Sequence, residues 1–280
     1  MHNTIISAQR LLAEYTQAWV LLDCRFSLED PSQGEQQYRA AHLPGAHYMH
    51  FDYHLSGVKT GSNGRHPLPD AQRLAVDFGA QGVGPKTQVV TYDDSGGMFA
   101  ARAWWLLRWL GHEHVAVLDG GLSAWLDAGG KTESSPPARH TQRFALRPKL
   151  ASSVSVSDVE ANLETARFTV VDARSPERFR GQNETLDPAG GHIPGALNRF
   201  YRDNLGPDGC FKSPERLRQE WQNLLGRESS GLNIVHQCGS GVTACVNLLA
   251  MEIAGLSGSR LYPGSWSEWC ANPAHPISTE

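Results

Sequence analysis

Short apolar runs without polar alternation recur along the chain, each followed by a segment of helical periodicity. In the first half, residues 19–22 (WVLL), 88–92 (QVVTY) and 115–118 (VAVL) are runs of this kind. A strand with one wet face alternates, whereas a strand covered on both faces stays apolar throughout. Residues 99–111 (FAARAWWLLRWLG) carry a helical pattern predicted to stop at Gly111. In the second half, residues 232–236 (LNIVH) form another apolar run, and a helix is predicted to begin near Thr243. Ser157 and Glu160, spaced as a capping box, mark a further helix start. Strand–helix alternation predicts an α/β fold with parallel sheets and helices on both faces. Ligands of such sheets gather at the carboxyl ends of the strands.

The pattern occurs twice. The run WVLLDCR at 19–25 is answered by FTVVDAR at 168–174, and HLPGA at 42–46 by HIPGA at 192–196. QVVTYDDSGG at 88–97 is answered by NIVHQCGSGV at 233–242, and LDGGLSAW at 118–125 by LYPGSWSEW at 261–269. Four matches in one order, half a chain apart, indicate two copies of one domain. The Ser-, Pro- and Arg-rich stretch between them has the composition of a linker. The expected boundaries are 1–130, a linker at 131–150, and 151–280.

Composition narrows the function classes. The 280 residues carry a formal net charge of −4 without long Lys/Arg runs, which argues against nucleic acid or an anionic membrane as the partner. No apolar stretch approaches a bilayer-spanning length. The first residues, MHNTIISAQRLLAEY, lack the basic leader and apolar block of a secretory signal. The cysteines, Cys24, Cys210, Cys238, Cys245 and Cys270, are odd in number and widely spaced, with no Cys-x-x-Cys pair. A reduced, cytoplasmic protein without metal or cofactor is expected.

Cys238 stands where a strand ends and a Gly-Ser-Gly turn precedes a helix. Amides of Gly239, Ser240, Gly241 and Val242 can turn toward the sulfur, and the helix adds its positive end. Both favour a thiolate, the nucleophilic form of cysteine. A cysteine phosphatase needs Cys-x5-Arg, but the sixth residue after Cys238 is Ala244. In the first copy the same place reads YDDSGG, so Asp93 or Asp94 replaces the thiol. The first copy is therefore expected to be non-catalytic. Cys245 is expected to pack in the core.

The loop CGSGVTA at 238–244, with DAR, HIPGA and GSWSEW, resembles the active-site loop and flanking motifs of the tandem-domain rhodanese superfamily. Within that superfamily it is similar to the 3-mercaptopyruvate sulfurtransferase branch. The thiosulfate branch carries Arg-Lys where this chain has Gly239-Ser240. The resemblance implies two rhodanese-like domains and sulfur transfer through a Cys238 persulfide, releasing pyruvate from 3-mercaptopyruvate. Thiosulfate is the alternative donor, and a thiol such as thioredoxin, or cyanide, the acceptor. It implies a relay of Ser240, His66 (in RHPLP) and Asp52 (in HLPGAHYMHFD) that handles the donor's thiol proton. It assigns substrate binding to Arg178, Gly239, Gly241, Val242 and Thr243. Taken singly, these residues have plainer uses: Asp52 as a turn cap, His66 as a solvated loop residue, Ser240 as a turn former, and Arg178 as a partner of Glu177 or Asp172. A sulfur-carrying module without turnover is a further alternative. The family often places a second carboxylate-binding arginine about nine residues beyond the first; here that place is Asp187. Arg180 and Arg199 are candidate substitutes, while Arg174, like Arg25, is expected to hold its own loop.

Overall fold

All the predicted strands form, and each runs parallel to its neighbours, in a computed structural model that describes residues 1–138, 140–227 and 230–280. The chain divides into two units. One comprises Met1–Gly57, Leu68–Leu150 and Pro207–Cys210. The other comprises Val58–Pro67, Ala151–Gly206 and Phe211–Glu280.

The first unit contains five strands: β1 (Ile5–Ile6), β2 (Val20–Asp23), β3 (Ala46–Tyr48), β4 (Val89–Tyr92) and β5 (Val115–Leu118). They form one parallel sheet in the order β1-β5-β4-β2-β3. Helices α1 (Ala8–Glu14), α2 (Gln33–Ala40), α3 (Ala71–Ala80), α4 (Met98–Trp109) and α5 (Gly121–Asp127) flank it. The stop at Gly111 is confirmed: α4 ends at Trp109, and Gly111 takes the left-handed φ of +86° that glycine adopts without strain.

The second unit has β6 (Thr169–Asp172), β7 (Leu197–Asn198), β8 (Ile234–Gln237) and β9 (Arg260–Leu261), ordered β7-β6-β8-β9. Its helices are α6 (Val156–Thr165), α7 (Pro176–Phe179), α8 (Pro214–Leu225), α9 (Ala244–Ile253) and α10 (Ser265–Trp269). The absence of alternation in its strands has a direct cause. Val170 and Val235 pack into a cluster with Trp266 and Trp269, whereas the neighbouring Val171 and Ile234 enter a separate cluster with Leu217, Trp221 and Met251. Both faces are buried.

The capping box lies two residues earlier than its spacing suggested. Ser155 Oγ accepts from the Asp158 amide, and the Asp158 carboxylate accepts from the Ser155 amide at 2.7 Å. Ser-x-x-Asp at 155–158 outcompetes Ser-x-x-Glu at 157–160 because α6 must already be turning to bury Val159.

The repeated Asp-x-Arg and His-x-Pro-Gly-Ala motifs are structural. Arg25 donates to the Asp23 carboxylate and the Ala41 carbonyl, both at 2.6 Å. Arg174 does the same with Asp172 and Gly191, at 2.7 and 2.6 Å. Each pair is buried, so each guanidinium fastens a strand tip to the loop ahead of the next strand. His42 stacks on Tyr38 and His192 on Phe179, each with Nδ1 on its neighbour's carbonyl.

On β8, His236 is fully buried between Trp221 and Met251, and burial alone pushes its imidazole down to about 3 from 6.5. The unfolded chain therefore takes up this proton first. The stability contributed by neutral His236 is complete above pH 6.5 and is lost as the pH falls toward 3. Between pH 6.5 and 4 the loss is about 3 kcal/mol. Urea unfolding across that range should show this slope in the native chain and a flatter one in His236→Leu, whatever the variant's stability at pH 7.

Candidate active site

The site is built at the tip of β8. The strand ends at Gln237, opposite Asp172 of β6, so Cys238 is the first residue beyond the ladder. Its sulfur is buried, and the amides of Ser240 and Gly241 donate to it at 3.4 and 3.1 Å. Gly241 permits the turn with φ +77°, and a Cβ there would strike the Pro263 carbonyl. The helix behind, α9, begins at Ala244 with Thr243 as its N-cap, as the sequence suggested. Two backbone donors thus point at one sulfur at the turn that leads into a helix.

The segment around α10 holds this loop from behind. Trp266 and Ser267 amides donate to the carbonyls of Cys238 and Gly239, each at 3.0 Å. Ser265 Oγ accepts from the Cys238 amide at 3.1 Å. To do so Ser265 sits at φ +55°, a region that disfavours residues with a Cβ. The matching residue of the first copy is Gly121, at φ +58°. The second copy thus keeps a hydroxyl where the backbone prefers glycine, and that hydroxyl occupies the Cys238 amide. The sequence marked GSWSEW as a repeat and a family motif; its part in bracing the loop was not visible there.

His66 lies on Val58–Pro67, which belongs to the same unit as Cys238. Its Nδ1 is 2.7 Å from Ser240 Oγ, both groups being buried. This segment is pinned nearby: the Arg65 amide donates to Ser267 Oγ at 3.0 Å, and a Cβ on Gly64 would lie 2.6 Å from the Gly264 carbonyl. Asp52 belongs to the first unit, in a short π-helical turn at Phe51–Leu55, where its amide donates to His50 Nδ1.

Arg178 reaches the loop from α7. A Cβ on Gly239 would lie 3.6 Å from Arg178 Nη1. Its ion-pair partners are neither Glu177 nor Asp172. Arg178 grips Glu184 through Nε and Nη2 at 2.9–3.0 Å, and its Nη2 also reaches Asp187 at 3.3 Å. The reason is geometric: Asp172 is already taken by Arg174, and Glu177 is exposed. Arg65 also pairs with Asp187. Arg199 is committed elsewhere, to Glu220 at 2.7 Å and over the Trp221 ring, and Arg180 is exposed. Burial pushes the Glu184 carboxyl up, but the Leu186 amide and Arg178 outweigh it and hold it low. In Asp187 burial prevails over Arg65 and holds the carboxyl above its ordinary value. Arg65 and Glu184 escaped the sequence reading, which marked Asp187 only as standing in an arginine's place, since charges 122 residues apart look like solvated surface.

The first copy supplies an internal comparison. Asp93, not Asp94, occupies the equivalent position, one residue beyond the Asp23–Tyr92 pair. Its carboxylate accepts the amides of Ser95, Gly97, Phe99 and Ala100, all at 2.9 Å. Burial raises the Asp93 carboxyl, and the amides of Ala100, Ser95 and Gly97 oppose it. The same turn thus holds a carboxyl group in one copy and a sulfur in the other. Cys245 is buried, its Sγ directed at the Gly241 carbonyl. Among the described residues no cluster of three or more His, Cys, Asp or Glu side chains could hold a metal ion, and no helix is long and apolar enough to cross a membrane.

The sequence matches the model of the family described as "Rhodanese-like domain" twice, at residues 7–128 and 155–272. The chain belongs to the rhodanese family. It is 46% identical over 279 residues to a Pseudomonas aeruginosa protein named "Probable 3-mercaptopyruvate sulfurtransferase", covering 98% of both chains. It is 39% identical to the 3-mercaptopyruvate sulfurtransferase of Homo sapiens, covering 87% of this chain and 82% of that one. Among solved structures, the 3-mercaptopyruvate sulfurtransferase from Leishmania major superposes with a TM-score of 0.83 at 30% identity, covering 95% of this chain and 74% of that one. Both copies here are therefore rhodanese domains, one with cysteine and one with aspartate at the strand tip.

Replacing Asp93 by alanine leaves four amides, those of Phe99 and Ala100 buried, without an acceptor. Denaturant unfolding of Asp93→Ala should show a loss of about 3–5 kcal/mol, whereas Asp94→Ala, at an exposed side chain, should change stability by no more than about 0.5 kcal/mol.

Proposed function

We propose that this rhodanese-family chain is a sulfurtransferase that takes sulfur from 3-mercaptopyruvate onto Cys238 and passes it to a thiol. The observation that carries the reading is the Cys238 sulfur under two main-chain amides with the His66–Ser240 pair beside it. The Cys238 thiolate attacks the donor sulfur. The carbon–sulfur bond breaks, its electron pair passing to carbon as the enolate of pyruvate. The proton of the donor's thiol travels by way of Ser240 and His66 to that carbon, leaving pyruvate and a Cys238 persulfide anion. Proton and charge balance without a metal or cofactor. The outer sulfur is received by the turn Gly239–Thr243, whose amides, Val242 and Thr243 included, face a growing negative charge. An acceptor thiol, such as that of a thioredoxin, then attacks the outer sulfur and restores Cys238; cyanide yields thiocyanate.

The choice of donor follows from the loop's chemistry. The Ser240–His66 pair has work to do only when the donor brings a proton on its sulfur. Thiosulfate brings none.

Two outcomes test this. Cys238→Ser should release no pyruvate from 3-mercaptopyruvate and gain no sulfur atom by intact-mass measurement; retained turnover in this variant would overturn the assignment. His66→Gln and Ser240→Ala should lower kcat with 3-mercaptopyruvate about a hundredfold and leave any thiosulfate turnover within a few-fold. An equal loss with both donors would assign the pair a structural role.

A further inference from the structure

The place where a second carboxylate-binding arginine was expected holds Asp187, yet two guanidinium groups still meet at the nucleophile's neighbour. A Cβ built on Gly239 would lie 2.8 Å from Arg65 Nη2, 3.6 Å from Arg178 Nη1 and 3.7 Å from Arg178 Nη2. The two cations come from separate stretches of the sequence, Arg65 from Val58–Pro67 and Arg178 from α7, both in the unit that carries Cys238.

Their anionic partners are arranged asymmetrically. The side chains of Asp187 and Glu184 are 2% and 5% exposed, whereas Arg65 and Arg178 keep 30% and 23%. The carboxylates therefore lie behind and the guanidinium groups in front. Asp187 binds both, taking Arg65 through Nη1 and Arg178 through Nη2. Glu184 takes the Nε and Nη2 of Arg178. Among the described residues, Arg65 Nη2 and Arg178 Nη1 have no hydrogen-bond partner, and these are the nitrogens nearest Gly239. Two fixed, half-exposed N–H edges on one side of a nucleophile are a fork for a planar anion.

Building on the sulfurtransferase reading above, we propose that Arg65 supplies the second guanidinium of the donor's carboxylate site, with Asp187 as the positioning residue that sets its distance from Arg178. In 3-mercaptopyruvate a single carbonyl carbon separates the carboxylate from the carbon that bears sulfur. Anchoring the carboxylate beside Gly239 thus keeps the donor sulfur at Cys238. The cation absent from position 187 is carried by residue 65, and the aspartate that replaced it has become its tether. Arg65 is then a specificity residue: it rewards donors that bear a carboxylate.

The experiment compares 3-mercaptopyruvate with mercaptoacetone, which has the same ketone and thiol but no carboxylate, in the native chain, Arg65→Gln and Arg65→Lys. Binding of pyruvate, which has the carboxylate but no sulfur, is measured alongside by calorimetry. Arg65→Gln should lower kcat/KM for 3-mercaptopyruvate about 10–100-fold, mainly through KM, weaken pyruvate to a similar degree, and leave mercaptoacetone within about twofold. Arg65→Lys should fall between, keeping the charge but losing the fork. Equal losses with both donors, or unchanged pyruvate affinity, would overturn the proposal and leave Arg65 as a brace for His66. If the native chain gained no sulfur on Cys238 from either donor, the sulfurtransferase reading itself would fall, a result separate from the first. Should Arg65→Gln prove unstable, Arg65→Lys and pyruvate binding decide.

Discussion

Everything at the tip of these sheets follows from one requirement: main-chain amides turned inward at the end of a buried parallel strand must meet negative charge. In the first unit the requirement is satisfied by the chain itself, through the Asp93 carboxylate and four amides. In the second, the acceptor is the polarisable sulfur of Cys238. The fold turns main-chain amides inward at the same strand tip twice, onto an aspartate in one copy and a cysteine in the other.

The socket is held in place by interactions that both copies share. The buried pairs Asp23–Arg25 and Asp172–Arg174 tie the tip of a central strand to the loop that precedes the neighbouring strand. Breaking such a pair by removing one partner strands a buried charge. This explains why the two halves, otherwise diverged, both keep Asp-x-Arg. The second copy adds Ser265, held at a left-handed φ and bonded to the Cys238 amide. Strain of that kind persists where the surroundings fix it, and here they do so through Tyr262, Trp266 and Ser267.

The fold was legible because its strands are buried on both faces and its motifs repeat. Cys238 was legible because glycines flank a thiol between strand and helix, and Ser240 and His66 through the family resemblance; the latter two stand 2.7 Å apart. The ion-pair cluster was not legible. Arg65, Glu184 and Asp187 gain meaning only from the fold, which brings residue 65 to residue 187, and no periodicity encodes such a contact. The capping box was misplaced for a related reason: serines at 155 and 157 each have an acid three residues on, and only the burial of Val159 chooses between them.

The bare Cα of Gly239 has a consequence for how rhodanese loops can vary. Arg65 Nη2 occupies the space where a side chain at position 239 would begin. A loop with a long cation in that place, as the thiosulfate branch is expected to have, would have to push this guanidinium aside and break its tie to Asp187. Positive charge can ride on the nucleophile's own loop or arrive from a remote segment, but the two solutions compete for one volume. A side chain added at position 239 therefore meets the flexible end of Arg65 first, and moving it aside costs the ion pair with Asp187.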